Sequence, residues 1–96
     1  MSPPLELMDA LSNPTRLKVL CALASLGPST KYRICRETGA AQRSVNQQLE
    51  LLVGMGLVRK LKYEAVVLYE LEENNPLAAE LKPVLGWIWT RRSARL

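Results

Sequence analysis

A helix with two chemically different faces is predicted from about Gln42 to Val53. Val45, Leu49 and Leu52 recur at helical spacing, so we expect them to face a core. The opposite side is polar and carries Gln42, Arg43, Asn46, Gln47 and Glu50. Gln, Asn and Arg side chains make bidentate contacts to base edges in the major groove. The pattern therefore indicates a helix with an apolar back and a front suited to a DNA groove.

The flanking segments predict a mainly helical chain with a small hairpin. Asn13-Pro14 and Asn75-Pro76 both read as an N-cap followed by proline at the first helical position. A further helix start is expected at Ser2-Pro3-Pro4, and a short helix from Lys31 to Thr38 is expected after a Ser29 or Thr30 cap. Residues 57–71 predict two strands, with a weak turn near Glu64. The expected order is α-α-α-α-β-β-α, with Pro83 either kinking the last helix or restarting it.

Charge is distributed unevenly along the 96 residues. Residues 13–63 hold nine Lys/Arg and two acids, a balance of +7, whereas residues 64–82 hold five acids and one Lys, a balance of −4. Such asymmetry favours one face for a polyanion and another for a different partner, although a solvated surface of uneven charge remains an alternative. No apolar run reaches the length of a membrane span, and no signal peptide is recognisable, so we expect a cytoplasmic protein.

The two cysteines and the absence of histidine argue against a metal site. Cys21 and Cys35 are fourteen positions apart and do not form a metal-binding spacing. We expect Cys21 to pack as a small apolar side chain, with a thiol switch between the two as an alternative. No catalytic constellation is recognisable either, so neither an enzyme nor a bound cofactor is expected.

The wording of three segments resembles the ArsR-like winged helix-turn-helix transcriptional regulators. The segment from Leu11 to Leu20, which contains Asn13-Pro14-Thr15-Arg16-Leu17, resembles the opening motif of that family. The segment from Arg43 to Leu52 is similar to its recognition helix, and Gly56-Leu57-Val58 to its exit into the wing. The resemblance implies a homodimeric, repressor-type protein of the winged-helix fold. Metal-sensing members carry cysteine pairs or His/Asp clusters, which this chain lacks, so only DNA binding is carried over.

The candidate DNA contacts fall into three groups. Arg43 is expected to bind guanine. Asn46, Gln42 or Gln47 is expected to pair with adenine. Ser44 is expected to contact a phosphate or to act at the start of the helix. A helix N-terminus favours a phosphate, and basic hairpin residues can follow the backbone or enter the minor groove. The full set is Thr30, Lys31, Gln42, Arg43, Ser44, Asn46, Gln47, Arg59, Lys60, Lys62 and Tyr63.

An apolar stripe near the C-terminus predicts a dimer interface, and the family resemblance implies that the first helix pairs with the last across it. The two tryptophans near the C-terminus cannot face the same way on a helix, so one is expected to cover its own core and the other a partner. The alternative is that both cover the domain's own core. The candidate interface residues are Leu5, Met8, Leu81, Leu85, Trp87, Ile88 and Trp89.

These expectations combine into one function and two alternatives. The prediction is a nucleoid-associated transcriptional regulator that binds specific sequences of double-stranded DNA. The sequence does not indicate its effector. The prediction divides the chain into a winged-helix unit at 1–75 and a dimerisation helix with a basic tail at 76–96. The alternatives are a winged-helix module for protein–protein interaction and a general nucleoid-type DNA binder. The amide-rich front disfavours the first, and Glu50 within that front disfavours the second.

Overall fold

The computed structural model describes residues 8–92. A helical stretch at 8–11 comes first, and the expected helix start at Ser2-Pro3-Pro4 and the interface residue Leu5 lie outside the described residues. The elements that follow are α1 (Pro14–Leu26), α2 (Lys31–Thr38), α3 (Gln42–Gly54), β1 (Val58–Tyr63), β2 (Val66–Leu71) and α4 (Pro76–Arg91). The helices and the two-stranded antiparallel hairpin form a winged helix-turn-helix fold, as the sequence predicts.

Side-chain caps begin three of the four helices. The Asn13 side chain accepts a hydrogen bond from the Arg16 N–H at 3.0 Å, and the Thr30 hydroxyl accepts from the Arg33 N–H at 3.1 Å. Asn75 does the same at α4, where its Oδ1 lies 2.8 Å from the Leu77 nitrogen. These caps satisfy N–H groups that have no partner within the helix, which explains why the helices begin where the sequence predicts. Helix α3 begins at Gln42, and its N-cap residue, Ala41, provides no side-chain hydrogen bond.

The core forms around α1. Val45, Leu49 and Leu52 are fully buried, which confirms that the back of α3 faces inward. Leu20 of α1 and Ile34 of α2 meet them in one cluster. An α1 helix that is apolar around much of its circumference can contact α2, α3 and α4 at once, and it contacts all three. This packing holds α2 and α3 as the two helices of a helix-turn-helix.

The hairpin has a simple register. Lys60 pairs with Tyr69 and Arg59 with Glu70, and a two-residue turn at Glu64-Ala65 joins the strands. Glu64 has φ +55°, a left-handed conformation that L-residues seldom adopt. Ser29 forms a bridge to Tyr69 through two backbone hydrogen bonds of 2.8 and 2.9 Å. That bridge fixes the base of the hairpin to the segment that leads into α2.

Helix α4 runs without interruption across Pro83, so the predicted alternative of a restart there is wrong. Because proline lacks an N–H, the helix loses one hydrogen bond at that point, and packing must compensate. Leu81, Leu85 and Trp89 supply this compensating packing, because they are buried in the main core beside α1. Within residues 8–92, no helix combines the length and apolar character needed to cross a membrane.

Candidate nucleic-acid interface

The outward face of α3 carries polar side chains. Gln42, Arg43 and Gln47 are exposed, as is Glu50 near the other end of the helix. Ser44 and Asn46 are half-buried, and both belong to the predicted contact set. Gln42, Arg43 and Gln47 therefore offer amide and guanidinium groups that are free to rearrange on a partner.

Asn46 is less accessible than the sequence suggests. Its side-chain oxygen is buried and has no hydrogen-bond partner among the described residues. A buried acceptor without a hydrogen-bond donor costs free energy, so a bound molecule that donates to this oxygen would remove that cost. Asn46 remains a predicted base contact with only part of its amide accessible.

The hairpin register divides the predicted basic residues between two faces. Residues directly opposite each other in an antiparallel pair point to the same side, and side chains alternate along a strand. Lys60 and Lys62 therefore share a face with Val67 and Tyr69. The Lys60 ammonium lies 3.9 Å from the Glu50 carboxylate of α3, so this face is the one that meets the polar end of α3.

Arg59 and Tyr63 lie on the other face of the hairpin, with Glu70. The Arg59 guanidinium donates a hydrogen bond to the Glu70 carboxylate across the strands, and that bond, together with the negative charge, raises the pKa of Arg59. Its charge is therefore already balanced by a neighbour. Of the predicted hairpin contacts, Lys62 has no such acidic partner among residues 8–92.

A groove brings together predicted residues from three elements. Thr30 and Lys31 at the start of α2, Gln42 at the start of α3 and Lys60 of the hairpin line one cavity of about 500 Å³. Tyr69 lines the same cavity and was not among the predicted site residues. The fold thus joins residues that are thirty positions apart in sequence into one continuous surface.

Arg16 counts toward the +7 charge predicted to meet a polyanion, but it does not belong to an exposed basic surface. The side chain is buried: its Nε donates to the Gln48 side-chain oxygen of α3 at 2.9 Å, and its Nη1 donates to the Asp9 carbonyl. The Asp9 carboxylate lies 3.7 Å from the same nitrogen. Arg16 therefore joins the helical stretch at 8–11 to the back of α3 and is not available to a polyanion. No pattern within one segment signals a contact between residues 16 and 48.

The predicted interface residues divide into two sets. Leu81, Leu85 and Trp89 are buried within the protomer, so they supply core packing. Met8, Trp87 and Ile88 are exposed, and Val84 joins them on α4. One tryptophan thus covers the core and the other faces outward, with the Arg91 guanidinium 4.3 Å from the centre of the Trp87 ring. Trp87 and Ile88 lie three and four residues after Val84 on α4, so these three side chains share one outward face and form an apolar patch of the kind that marks a surface for a partner.

Both cysteines are free thiols. Cys21 is buried, and desolvation raises the pKa of its thiol, whereas Cys35 is half-buried. Across residues 8–92, no group of three or more His, Cys, Asp or Glu side chains comes together in a way that would hold a metal ion.

A winged helix-turn-helix with a polar α3 face and a basic hairpin is the architecture of a DNA-binding regulator. The family profile described as bacterial regulatory protein, arsR family, matches residues 13–60, half of the chain. The chain belongs to this family of transcriptional regulators, as the motifs from Leu11 to Val58 suggest. A search of curated proteins returned no match.

Solved structures agree with this assignment. The transcriptional repressor BigR from Xylella fastidiosa is 25% identical, with a TM-score of 0.73 over 95% of this chain and 84% of that one. The regulator HlyU from Vibrio vulnificus is 27% identical, with a TM-score of 0.72 over 84% and 82% of the two chains. The homodimeric winged helix-turn-helix DNA-binding domain of Mb0332 from Mycobacterium bovis shares the fold, at 22% identity and a TM-score of 0.70 over 95% and 82%.

Proposed function

We propose that this protein is a homodimeric repressor that binds specific double-stranded DNA sequences. Helix α3, the recognition helix predicted at 42–53, enters the major groove, and the hairpin region at 57–71 acts as the wing. The observation that carries this proposal is that Gln42 of α3 and Lys60 of the hairpin line one cavity, on a helix whose Arg43 and Gln47 side chains are also exposed. A regulator that acts on chromosomal DNA works at the nucleoid, which is the cellular site we infer.

Base reading falls to the most accessible side chains of α3. Arg43 is exposed and has no ion-pair partner among residues 8–92, so its five donors are free to make a bidentate contact to guanine. Gln42 and Gln47 present exposed amides of the kind that pair with adenine. Ser44, half-buried in the first turn of α3, is placed for a phosphate or for the helix start.

Backbone contacts come from the residues around α3. Thr30 and Lys31 lie at the N-terminus of α2, where free N–H groups and the helix dipole favour a phosphate. Lys60 and Lys62 project from the hairpin face that meets α3, so they extend the same surface. Arg59 and Tyr63 project from the opposite face and reach DNA only where the duplex wraps around the hairpin.

Dimerisation is supported by the apolar patch on α4. Trp87, Ile88 and Val84 are exposed, and burying large apolar side chains between two copies removes them from water. The Mb0332 domain is described as homodimeric, and BigR as a repressor, and we extend both properties to this chain. In this proposal residues 76–96 form the dimerisation segment and residues 1–75 the DNA-binding unit, although α4 shares one core with α1.

Selection of bound duplexes from a random pool, with the mass of the protein measured in solution, tests the proposal. We expect two enriched half-sites about one helical turn apart and a dimer mass. Salt-dependent binding without an enriched sequence would instead favour a general nucleoid-type binder. Failure to bind any duplex would favour a winged-helix module for protein–protein interaction.

A further inference from the structure

Tyr69 is the buried polar group that the proposed function does not yet use. Its side chain is fully buried, and its hydroxyl has no hydrogen-bond partner among residues 8–92. A buried hydroxyl without a partner costs free energy that phenylalanine at the same position would avoid. Strand β2 nevertheless carries a tyrosine at this point, where Ser29 bonds to both its backbone N–H and its backbone carbonyl.

The surroundings of Tyr69 are those of an anion site. It lines the cavity of about 500 Å³ between the start of α2, the start of α3 and the hairpin. Lys31 and Lys60 contribute positive charge there, and the Lys60 ammonium lies 6.0 Å from the centre of the Tyr69 ring. The nearest acid to Lys60 is Glu50, whose carboxylate is 3.9 Å away and does not line the cavity.

The start of α2 adds backbone donors to the same cavity. The Thr30 hydroxyl accepts from the Arg33 N–H, and the Ile34 N–H donates to the Thr30 carbonyl. The Lys31 and Tyr32 N–H groups precede these and belong to the set that no intrahelical acceptor can satisfy. Both residues line the cavity, so two backbone donors and a positive helix end lie beside it, and Tyr69, whose hydroxyl is unpaired, lines it as well.

We propose that this cavity binds one phosphate group of the DNA backbone and that the Tyr69 hydroxyl, which has no exposed surface in the free protein, is uncovered on binding and donates to it. Phosphate supplies acceptor oxygens that satisfy the hydroxyl and the two N–H groups together, and Lys31 and Lys60 balance its charge. The site fixes where the backbone crosses the junction of α2 and the hairpin, and thereby the angle at which α3 enters the groove. This inference rests on the proposed DNA binding.

The first test removes only the hydroxyl. Tyr69→Phe is expected to fold, because it deletes an unpaired group from the core, and to weaken duplex binding about three- to tenfold at fixed salt. The salt dependence should not change, since no charge is lost, whereas Lys31→Gln should lower both affinity and the salt slope. Ser25→Ala is the control, because it deletes an exposed hydroxyl from α1 that belongs neither to the proposed DNA contacts nor to the proposed dimerisation segment. It should bind duplex as the wild type does.

The second test uses inorganic phosphate as the probe. Millimolar phosphate should shift the amide NMR signals of Lys31 and Tyr32 in the wild type, and the shifts should be smaller in Tyr69→Phe. Equal duplex affinity for wild type and Tyr69→Phe would overturn the inference, and sensitivity to Arg43→Ala in the same assay would show that the proposed function survives. A phosphate response that depends on Tyr69, in a protein that binds no duplex, would keep the anion site and refute the proposed function.

Discussion

Helices α3 and α4 bury the same kind of residue and expose opposite kinds. Each places three large apolar side chains in the shared core, Val45, Leu49 and Leu52 from α3 and Leu81, Leu85 and Trp89 from α4. Outward, α3 presents amides and a guanidinium, whereas α4 presents an apolar patch that includes Trp87 and Ile88. The inward faces make the fold, and the outward faces decide the partner. A polar face can lie in a DNA groove, and an apolar face favours another protein surface.

The largest expected effect comes from placing a charge in the α4 patch. Trp87→Glu should raise the dimer dissociation constant about 100-fold or more, about 3 kcal/mol, because an interface would have to bury an unpaired carboxylate. Analytical ultracentrifugation measures the change. Since Trp87 is exposed in the protomer, circular dichroism should show an unchanged fold. A dimer as stable as the wild type would place the interface elsewhere.

The next effect concerns the hydrogen bonds that Arg16 donates behind α3. Arg16→Ala leaves the Gln48 side chain and the Asp9 carbonyl without their donor, so the free energy of unfolding should fall by about 2–3 kcal/mol. Urea denaturation measures this loss. Arg16→Lys keeps the charge but lacks the planar guanidinium that reaches both the Gln48 side chain and the Asp9 carbonyl. It should therefore recover only part of the stability. Full recovery by lysine would show that charge alone matters at this position.

On the polar face, Arg43→Ala should weaken binding to the selected operator by about 2 kcal/mol, roughly 30-fold. Binding to random duplex should fall much less, because the lost contact is to a base rather than a phosphate. Dimer mass should be unchanged, which makes this variant the counterpart of Trp87→Glu. Equal losses on operator and random DNA would contradict base reading by Arg43.

A smaller effect separates two lysines that are closely matched. The Lys60 side chain is 48% exposed and lies 3.9 Å from Glu50, and that of Lys82 is 43% exposed and lies 2.8 Å from Glu73. Lys60→Ala on the hairpin should weaken binding to any duplex by about 1 kcal/mol and lower the salt slope by about one unit, as expected for a lost phosphate contact. Lys82→Ala on α4 should change neither. Equal effects would mean that only net charge matters.

The elements of this fold could be predicted from sequence where the signal is local. Asn13-Pro14 and Asn75-Pro76 indicate helix starts because caps depend on residues within one turn. The apolar spacing of Val45 and Leu49 likewise identifies the back of α3. The single residue between Trp87 and Trp89 predicts that the two rings face different ways on a helix.

Contacts between distant segments could not be predicted in this way. The Arg16 bond to Gln48 joins residues 32 positions apart, and the unpaired Tyr69 hydroxyl follows from how the hairpin lies against α2. Both depend on tertiary packing, which no short pattern records. The same holds for the part of the α4 stripe that is buried, since only the angle of α4 on α1 decides that Leu81 and Leu85 face the core.

The smallest effect is a change in thiol reactivity that reports on the α4 patch. Cys21 lines a mainly apolar cavity of about 210 Å³ together with Ile88, Trp89 and Arg92, so a partner on the patch would also cover this cavity. In a Cys35→Ser background, iodoacetamide should therefore label Cys21 slowly in the dimer and several-fold faster in Trp87→Glu. Equal rates would mean that the partner does not cover the cavity.

The pH dependence of the same thiol has a definite sign. Burial raises the pKa of Cys21 above its ordinary value of 9.0, so the folded protein holds this proton more tightly than the unfolded chain. The stability contributed by Cys21 is complete below the unfolded value and is lost as the pH rises through the raised one. Labelling should accordingly accelerate only in alkaline solution, and Cys21→Ala should flatten the decline of stability in that range. A labelling rate that levels off near neutral pH would show instead that the thiol lies beside a positive charge, and the Lys18 and Arg92 side chains at the cavity would be the groups to replace.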